Sequence, residues 1–103
     1  MPEIISLRKK QIFLSDSGEG IFCGKTKNCE FVKLTINPHS KIPKHTLDFP
    51  VNFFIISGNP LLISGTNKFK LQAGDIINLA PGEEREWENS SNSYAELLVI
   101  KEI

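Results

Sequence analysis

The sequence of 103 residues lacks an excess of either charge: twelve lysines and arginines balance twelve aspartates and glutamates. A protein that binds nucleic acid or an anionic membrane through its surface normally carries a strong basic field. The balance therefore argues against both kinds of partner. The sequence also lacks an apolar stretch of the length that a signal peptide or a membrane span needs, so we expect a cytoplasmic protein.

Residues that bind metals or act as nucleophiles are scarce, with two cysteines, Cys23 and Cys29, and two histidines, His39 and His45. A zinc site normally needs about four ligands, and only the two histidines are available to complete one with the two cysteines, so we expect no zinc site. The two cysteines flank a segment of turn composition, and without an export signal we expect reduced thiols on neighbouring strands. No Ser-His-Asp, Cys-His or paired-carboxylate arrangement can be assembled from the spacing, and phosphate-binding glycine patterns are absent.

Helical signals are absent too, since no segment shows a sustained helical apolar period with a capping residue at its start. Instead, β-branched and aromatic residues come in short runs cut by Gly, Pro, Asn and Ser, a pattern typical of strands separated by turns. The predicted strands are residues 11–14, 20–24, 29–36, 42–47, 51–57, 61–64, 68–71, 75–79 with 85–89, and 94–101. Between Ile63 and Phe69, the sequence Gly65-Thr66-Asn67 predicts a hairpin turn.

Two runs also predict which residues are buried. Alternation in residues 29–36 places Val32, Leu34 and Ile36 on one buried face. Residues 53–56 are apolar at every position, which predicts a strand covered on both faces, by a second sheet or by a partner chain. Many short strands without intervening helices favour an antiparallel sandwich or barrel with a single core.

From Pro38 onward, the spacing resembles that of the cupin superfamily, whose two motifs read G-x5-H-x-H-x3-E-x6-G and G-x5-P-x-G-x2-H-x3-N. The first motif falls at residues 39–58, where the matching residues are His45 and Gly58 and the substituted slots hold His39, Leu47 and Val51. The second motif falls at residues 74–89, where the matching residues are Gly74, Gly82 and Asn89 and the substituted slots hold Ala80 and Arg85.

This resemblance implies an all-β fold, namely an antiparallel double-stranded β-helix or jelly-roll β-barrel, formed by a single domain over residues 1–103. Residues 1–28 would supply N-terminal strands and residues 29–103 the cupin barrel. The resemblance also implies a homodimer, because small cupins commonly form one. Exposed edge strands and an uncovered outer face of residues 53–56 would give that association a physical motive.

In metal-binding cupins, two histidines and a glutamate of the first motif and a histidine of the second hold a divalent transition metal inside the barrel. Carried over slot by slot, His45 is the only ligand retained, and Arg85 brings a permanent positive charge to the fourth slot. We therefore expect no metal and no other cofactor. Any metal would need a substitute ligand such as Asp48, which lies near the first motif but outside its pattern.

The same slots predict a pocket for a small molecule. Leu47, Val51 and Phe53 alternate onto one strand face, and Arg85 and Trp87 share a face of another strand. An apolar pocket with a few polar groups is the usual form of a small-molecule site, and an arginine suits a carboxylate or a phosphate. We expect a small, partly apolar anionic ligand to contact six residues, His45, Arg85, Leu47, Val51, Phe53 and Trp87.

Three alternatives stay open at this point. Arg85 lies in Glu83-Glu84-Arg85-Glu86 and could pair with a neighbouring carboxylate or reach solvent. The barrel could be filled by its own side chains, with His45 as a structural residue and Phe53 and Trp87 as core, and act through its surface. Cupins also host isomerases, epimerases and dioxygenases, and the fold alone does not separate a metal-dependent enzyme that uses His45 from a binding protein.

Overall fold

A computed structural model describes residues 2–8 and 10–103. These residues form ten strands and no helix: β1 (Lys10–Leu14), β2 (Gly18–Lys25), β3 (Cys29–Ile36), β4 (Ser40–His45), β5 (Val51–Ser57), β6 (Leu61–Ser64), β7 (Asn67–Lys70), β8 (Ile76–Leu79), β9 (Arg85–Asn89) and β10 (Ala95–Glu102). Strands β3, β5, β6 and β9 have the predicted bounds, and the others differ from the predicted runs by one or two residues at one or both ends. No helix in the described part of the chain is long and apolar enough to cross a membrane.

The strands form two antiparallel sheets. The six-stranded sheet has the order β1-β2-β3-β10-β5-β8, and the four-stranded sheet has the order β4-β9-β6-β7. The chain passes from one sheet to the other after β3, β4, β5, β7, β8 and β9, so strands that are distant in sequence become neighbours. This is the topology of a jelly roll, and it confirms the predicted all-β fold class.

The core lies between the two sheets and is built by period-two alternation. Val32, Leu34 and Ile36 are buried as predicted, and the residues between them are half-buried. Phe53 and Ile55 also point inward and are almost fully buried. Their neighbours Phe54 and Ile56 are half-buried on the outer face of the six-stranded sheet, so the second sheet covers only one face of this strand.

Asn89, the last residue of β9, joins the two sheets through its side-chain amide. Its Nδ2 atom donates to the carbonyl oxygens of Ile36 (3.1 Å), Asn37 (3.1 Å) and Ser93 (2.8 Å), and its Oδ1 atom accepts from Ser91. Asn89 is only 1% exposed, so its polar atoms need these partners. The asparagine of the second motif therefore anchors the end of the four-stranded sheet to β3 of the six-stranded sheet.

The hairpin of β6 and β7 is the one predicted from its turn residues. Ser64 pairs with Asn67, which leaves Gly65-Thr66 as a two-residue turn. Gly65 has a φ of 62°, a left-handed conformation that glycine adopts without steric cost.

Both cysteines lie where the sequence predicts them, on neighbouring strands β2 and β3, and neither takes part in a disulfide. Cys23 is buried, and burial raises the pKa of its thiol. Its thiol is therefore protonated at neutral pH and unreactive as a nucleophile.

Gly58 ends the first motif at a position where a larger residue does not fit. Its φ is 86°, and a Cβ atom there would lie 2.8 Å from the Cα atom of Ala95 and from the carbonyl oxygen of Tyr94.

We expect Gly58→Ala to lower the free energy of unfolding by about 3 kcal/mol, because the strain of the left-handed backbone and the steric overlap both destabilise the folded state. Gly82→Ala is the control for strain alone, since Gly82 has a φ of 82° and no atom within 4 Å of its Cβ position. That variant should lose about 1 kcal/mol. Urea denaturation measures both, and equal losses would contradict the steric argument.

Candidate functional site

A cavity of about 250 Å³ opens between the two sheets at the end of the barrel where β4 finishes and β9 begins. No aspartate or glutamate is among the residues that line it, which are Ile12, Phe13, Val32, Leu34, Ile42, Pro43, His45, Phe53, Arg85, Trp87, Val99 and Lys101. The lining is therefore apolar except for three basic side chains and the indole N–H.

The floor of the cavity is apolar and rigid. Phe53 on β5 and Trp87 on β9 meet across the barrel, edge to face, with ring centroids 5.1 Å apart. Val99 is the direct cross-strand partner of both Phe53 and Val32, so these side chains form one layer of the barrel. Phe53 and Trp87 are 2% and 1% exposed, which means that neighbouring side chains hold both rings in place.

The rim of the cavity is basic and lies one layer above this floor. Lys101 is two residues beyond Val99 on β10, and Arg85 is two residues before Trp87 on β9, so each shares a strand face with a floor residue. His45 is the cross-strand partner of Arg85. Three nitrogen-bearing side chains from three strands therefore surround the same opening.

A β-bulge in β4 turns His45 toward the cavity. Ile42 pairs with Trp87 and His45 pairs with Arg85, so three steps along β4 match two steps along β9. In a regular strand without the bulge, alternation from Ile42 would place Lys44 on the inner face and His45 on the outer face. Pro43 lies within the bulge on an edge strand, where the missing N–H removes no ladder hydrogen bond.

Arg85 is 8% exposed and yet forms no ion pair with the described residues, in which all four ion pairs use lysines. The acidic neighbours are directed elsewhere: Glu83 accepts a hydrogen bond from the Ala80 backbone N–H, and Glu84 pairs with Lys44. Glu86 is next to Arg85 on β9 and therefore points to the opposite face of the strand. A neighbouring carboxylate partner therefore does not describe this arginine, whose side chain lines the cavity.

The contact that the Arg85 guanidinium does make is with an aromatic ring. Its Cζ atom lies 5.4 Å from the centroid of Phe53, within the range of a cation–π interaction. Burial lowers the pKa of Arg85 from its usual value, but an arginine remains protonated at neutral pH. A full positive charge is thus held against an apolar floor.

His45 occupies the exposed side of the rim. Its pKa is lowered from the usual 6.5, first by partial burial and then by the positive charges of Arg85 and Lys101. The imidazole is therefore neutral at neutral pH and can donate or accept one hydrogen bond there. An anion bound beside it would oppose these charges and raise its pKa again.

The indole N–H of Trp87 is the one fully buried side-chain nitrogen or oxygen without a hydrogen-bond partner in the described part of the chain. Leaving such a donor unsatisfied costs about 1–3 kcal/mol. Because Trp87 lines the cavity, a molecule bound there with an acceptor atom would be in the same small space as this donor.

Of the six residues predicted to contact a ligand, the structure brings four together around the cavity: His45, Arg85, Phe53 and Trp87. Val51 and Leu47 are not part of the lining. Val51 is 1% exposed and belongs to the hydrophobic core, and Leu47 packs against that core from beyond the end of β4. Simple alternation from His45 to Leu47 does not continue because the strand ends at His45.

Sequence reasoning missed Lys101, Ile12 and Phe13 as cavity residues. Lys101 follows Val99 at a spacing of two, so alternation in the last strand contained a usable signal. Alternation gave no such signal for the residues of β1, because a bulge at Ile12 lets two adjacent residues, Ile12 and Phe13, reach the opening of the cavity. The Phe13 ring lies over Gly20 on β2, in the space that any Cβ atom there would occupy.

The residues in the four family slots do not fit a transition metal. Of His45, Leu47, Val51 and Arg85, only His45 has a lone pair to offer, and the guanidinium beside it repels a cation. No group of three or more His, Cys, Asp and Glu side chains converges anywhere in residues 2–8 and 10–103. Asp48 does not line the cavity.

His39 shows why the first slot of the motif is usually glycine. Its φ of 55° makes it the one non-glycine residue with positive φ in the described chain. Its Nε2 atom lies 2.6 Å from Oδ1 of Asn92, a hydrogen bond that helps to hold this strained turn. His39 thus adopts the positive φ that a glycine in this slot would adopt, and it lies outside the cavity lining.

The burial of Arg85 without a counter-charge makes a prediction about stability. Arg85→Met keeps a long side chain against Phe53 and removes the desolvated charge, so we expect the free energy of unfolding to rise by about 1 kcal/mol. Urea denaturation of the ligand-free protein measures this. A loss of more than about 1 kcal/mol would instead show that Arg85 stabilises the barrel and would contradict its assignment as a ligand-binding group.

Neither a protein-family model nor a curated protein matches the sequence. Solved structures match over nearly the whole chain. A predicted oxalate decarboxylase from Thermotoga maritima has a TM-score of 0.82 at 17% identity, covering 99% of each chain. A cupin 2 conserved barrel domain protein from Salinispora arenicola has a TM-score of 0.78 at 15% identity, covering 88% of this chain and 80% of the other. A vicilin from Solanum melongena has a TM-score of 0.86 at 18% identity, covering 96% of this chain and 30% of that one.

These identities are too low to transfer an activity, but the TM-scores show that the fold is shared. The chain therefore has the fold of a small cupin, the double-stranded β-helix.

Proposed function

We propose that this barrel binds a small, partly apolar anion in the cavity without the help of a metal. The observation that carries the proposal is Arg85, a buried cation without an ion-pair partner in the described chain, at the opening of an apolar cavity. A buried charge normally has a partner, because desolvation otherwise costs several kcal/mol. A bound anion supplies that partner.

The other groups around the opening support an anion rather than a cation. His45 and Lys101 are the remaining ionisable side chains of the lining, and both are basic. A carboxylate or phosphate oxygen can accept from the Arg85 fork in charge-assisted hydrogen bonds. The apolar floor of Phe53, Trp87 and Val99 then receives the uncharged part of the ligand.

The size of the cavity restricts the ligand to a small molecule. A volume of about 250 Å³ corresponds to roughly eight water molecules at ~30 Å³ each. Because this volume is close to the lower end of the ~300–1,000 Å³ range of ligand pockets, we expect a carboxylate on a branched or aromatic group rather than a nucleotide. The Solanum melongena vicilin is described as having different anionic ligands in structurally similar pockets, which is consistent with a barrel of this shape accepting anions.

The proposal is tested by titrating benzoate and isovalerate into the protein with calorimetry at pH 7.5. We expect saturable 1:1 binding that Arg85→Met weakens at least about tenfold, because a charge-assisted contact is worth ~1.5–3 kcal/mol. Arg8→Met is the matched control: Arg8 is the only other arginine, and it is exposed outside the cavity.

Equal weakening in the two arginine variants would contradict a site at Arg85, and so would the absence of binding by any of the small anions tested. Stoichiometric iron, manganese, zinc or nickel in protein purified without chelator would contradict the metal-free form of the proposal.

We also propose that two copies associate through the outer face of the six-stranded sheet. Phe54 lies between Ile76 and Leu98 on neighbouring strands, and Ile76 is 66% exposed. No second layer of described residues covers this apolar group, and burying it against a second copy removes it from water.

Sedimentation at tens of micromolar tests this association. We expect a dimer for the wild-type protein and a monomer for Ile76→Lys, which places a charge in the apolar face. Phe69→Lys on β7 of the other sheet should remain dimeric, because Phe69 lies away from that face. A wild-type monomer would show the proposal to be wrong.

A further inference from the structure

Resting on the proposed function, we propose that the ion pair between Glu30 and Lys101 sets the charge of the ligand, so that the cavity selects a monocarboxylate with an apolar body over a dianion with the same body. The selection depends on the balance of positive and negative side-chain charges at the rim.

The rim contains two permanent cations, but one of them is already compensated. Nζ of Lys101 lies 3.6 Å from Oε1 of Glu30, its direct cross-strand partner on β3. Both side chains are largely buried, with exposed fractions of 22% and 31%, so solvent screens the pair less than a surface pair. Lys101 therefore contributes little net positive charge to the cavity.

Arg85 is left as the uncompensated permanent cation at this opening. Lys44, the next nearest basic residue in sequence to His45, is paired with Glu84 at 3.8 Å and lies outside the cavity lining. His45 adds little charge to the empty cavity at pH 7.5, because partial burial and the nearby positive charges lower its pKa. The net charge that the described groups present to a ligand is therefore close to one positive unit.

One positive unit balances one carboxylate. The second negative charge of a dianion would lie close to Glu30 and over the apolar floor, and it would find no free cation there. Charge balance thus favours isovalerate or benzoate over their counterparts with a second carboxylate. Removal of the Glu30 charge releases Lys101 as a second cation and should reverse this preference.

The test compares matched ligand pairs at pH 7.5 by calorimetry: isovalerate with isopropylmalonate, and benzoate with phthalate. Each dianion carries one more carboxylate on the same body. We expect the wild-type protein to bind each monocarboxylate at least about tenfold more tightly than its dianion. In Glu30→Gln, the dianion should gain at least about tenfold in affinity, while the monocarboxylate changes by less than about threefold.

Glu96→Gln is the matched control, because Glu96 also pairs with a lysine on a neighbouring strand of the same sheet. That pair, Lys33 with Glu96 at 2.5 Å, has exposed fractions of 20% and 34%, close to those of Glu30 and Lys101, but it lies outside the cavity lining. Its loss should leave both ligand affinities within about twofold of the wild-type values.

The outcomes separate this inference from the proposed function. Binding of both members of each pair with similar affinity, or stronger binding of the dianions to the wild-type protein, would leave the anion site in place and overturn the selection. Unchanged selectivity in Glu30→Gln would show that the ion pair does not set it. If neither kind of anion bound, the proposed function itself would be wrong.

Discussion

The contact between Phe53 and Trp87 is the constraint on which the rest of this barrel depends. It is made between two different sheets, near the middle of β5 and β9, by two rings that are almost fully buried. Their edge-to-face packing fixes the separation of the sheets at this level and seals the interior below it. The rim of the cavity lies on one side of this contact, and the core residues Ile36, Ile55 and Leu97 lie on the other. The position of the aromatic pair along the barrel axis therefore decides how deep a ligand can enter.

Much of the fold could be predicted from the sequence because the signals for strands and turns are local. Alternation in residues 29–36, the glycine turn at Gly65 and the spacing of Gly58 and Gly74 each depend on a few neighbouring residues. The cavity lining could be predicted only in part. Val51 belongs to the core, and Lys101 was missed although it follows Val99 at a spacing of two. The β1 residues could not be predicted, because a bulge there shifts the alternation by one residue and no composition rule reveals a bulge in a single sequence.

The buried positive charge of Arg85 at the rim acts against the folding stability of this small barrel. A core of this size has few apolar residues to spare, and a desolvated guanidinium within it is a cost that the fold must offset elsewhere. Asn89 is also a buried polar residue, but unlike Arg85 it has hydrogen-bond partners for both its Nδ2 and its Oδ1 atoms. A satisfied amide at one end of β9 and an uncompensated cation at the other distinguish the end of the strand that joins the sheets from the end that lines the cavity.

The bulge at Pro43 means that the chemistry of the rim is set by the number of residues in β4 as much as by their identity. One additional residue between Ile42 and Lys44, with the same bulge, would bring the ammonium group of Lys44 to the position now held by the imidazole of His45. A length change in an exposed edge strand, which disturbs little of the core, would thereby alter the proton affinity of the opening. An insertion in this edge strand would therefore change the charge at the opening of the cavity and leave the aromatic floor in place.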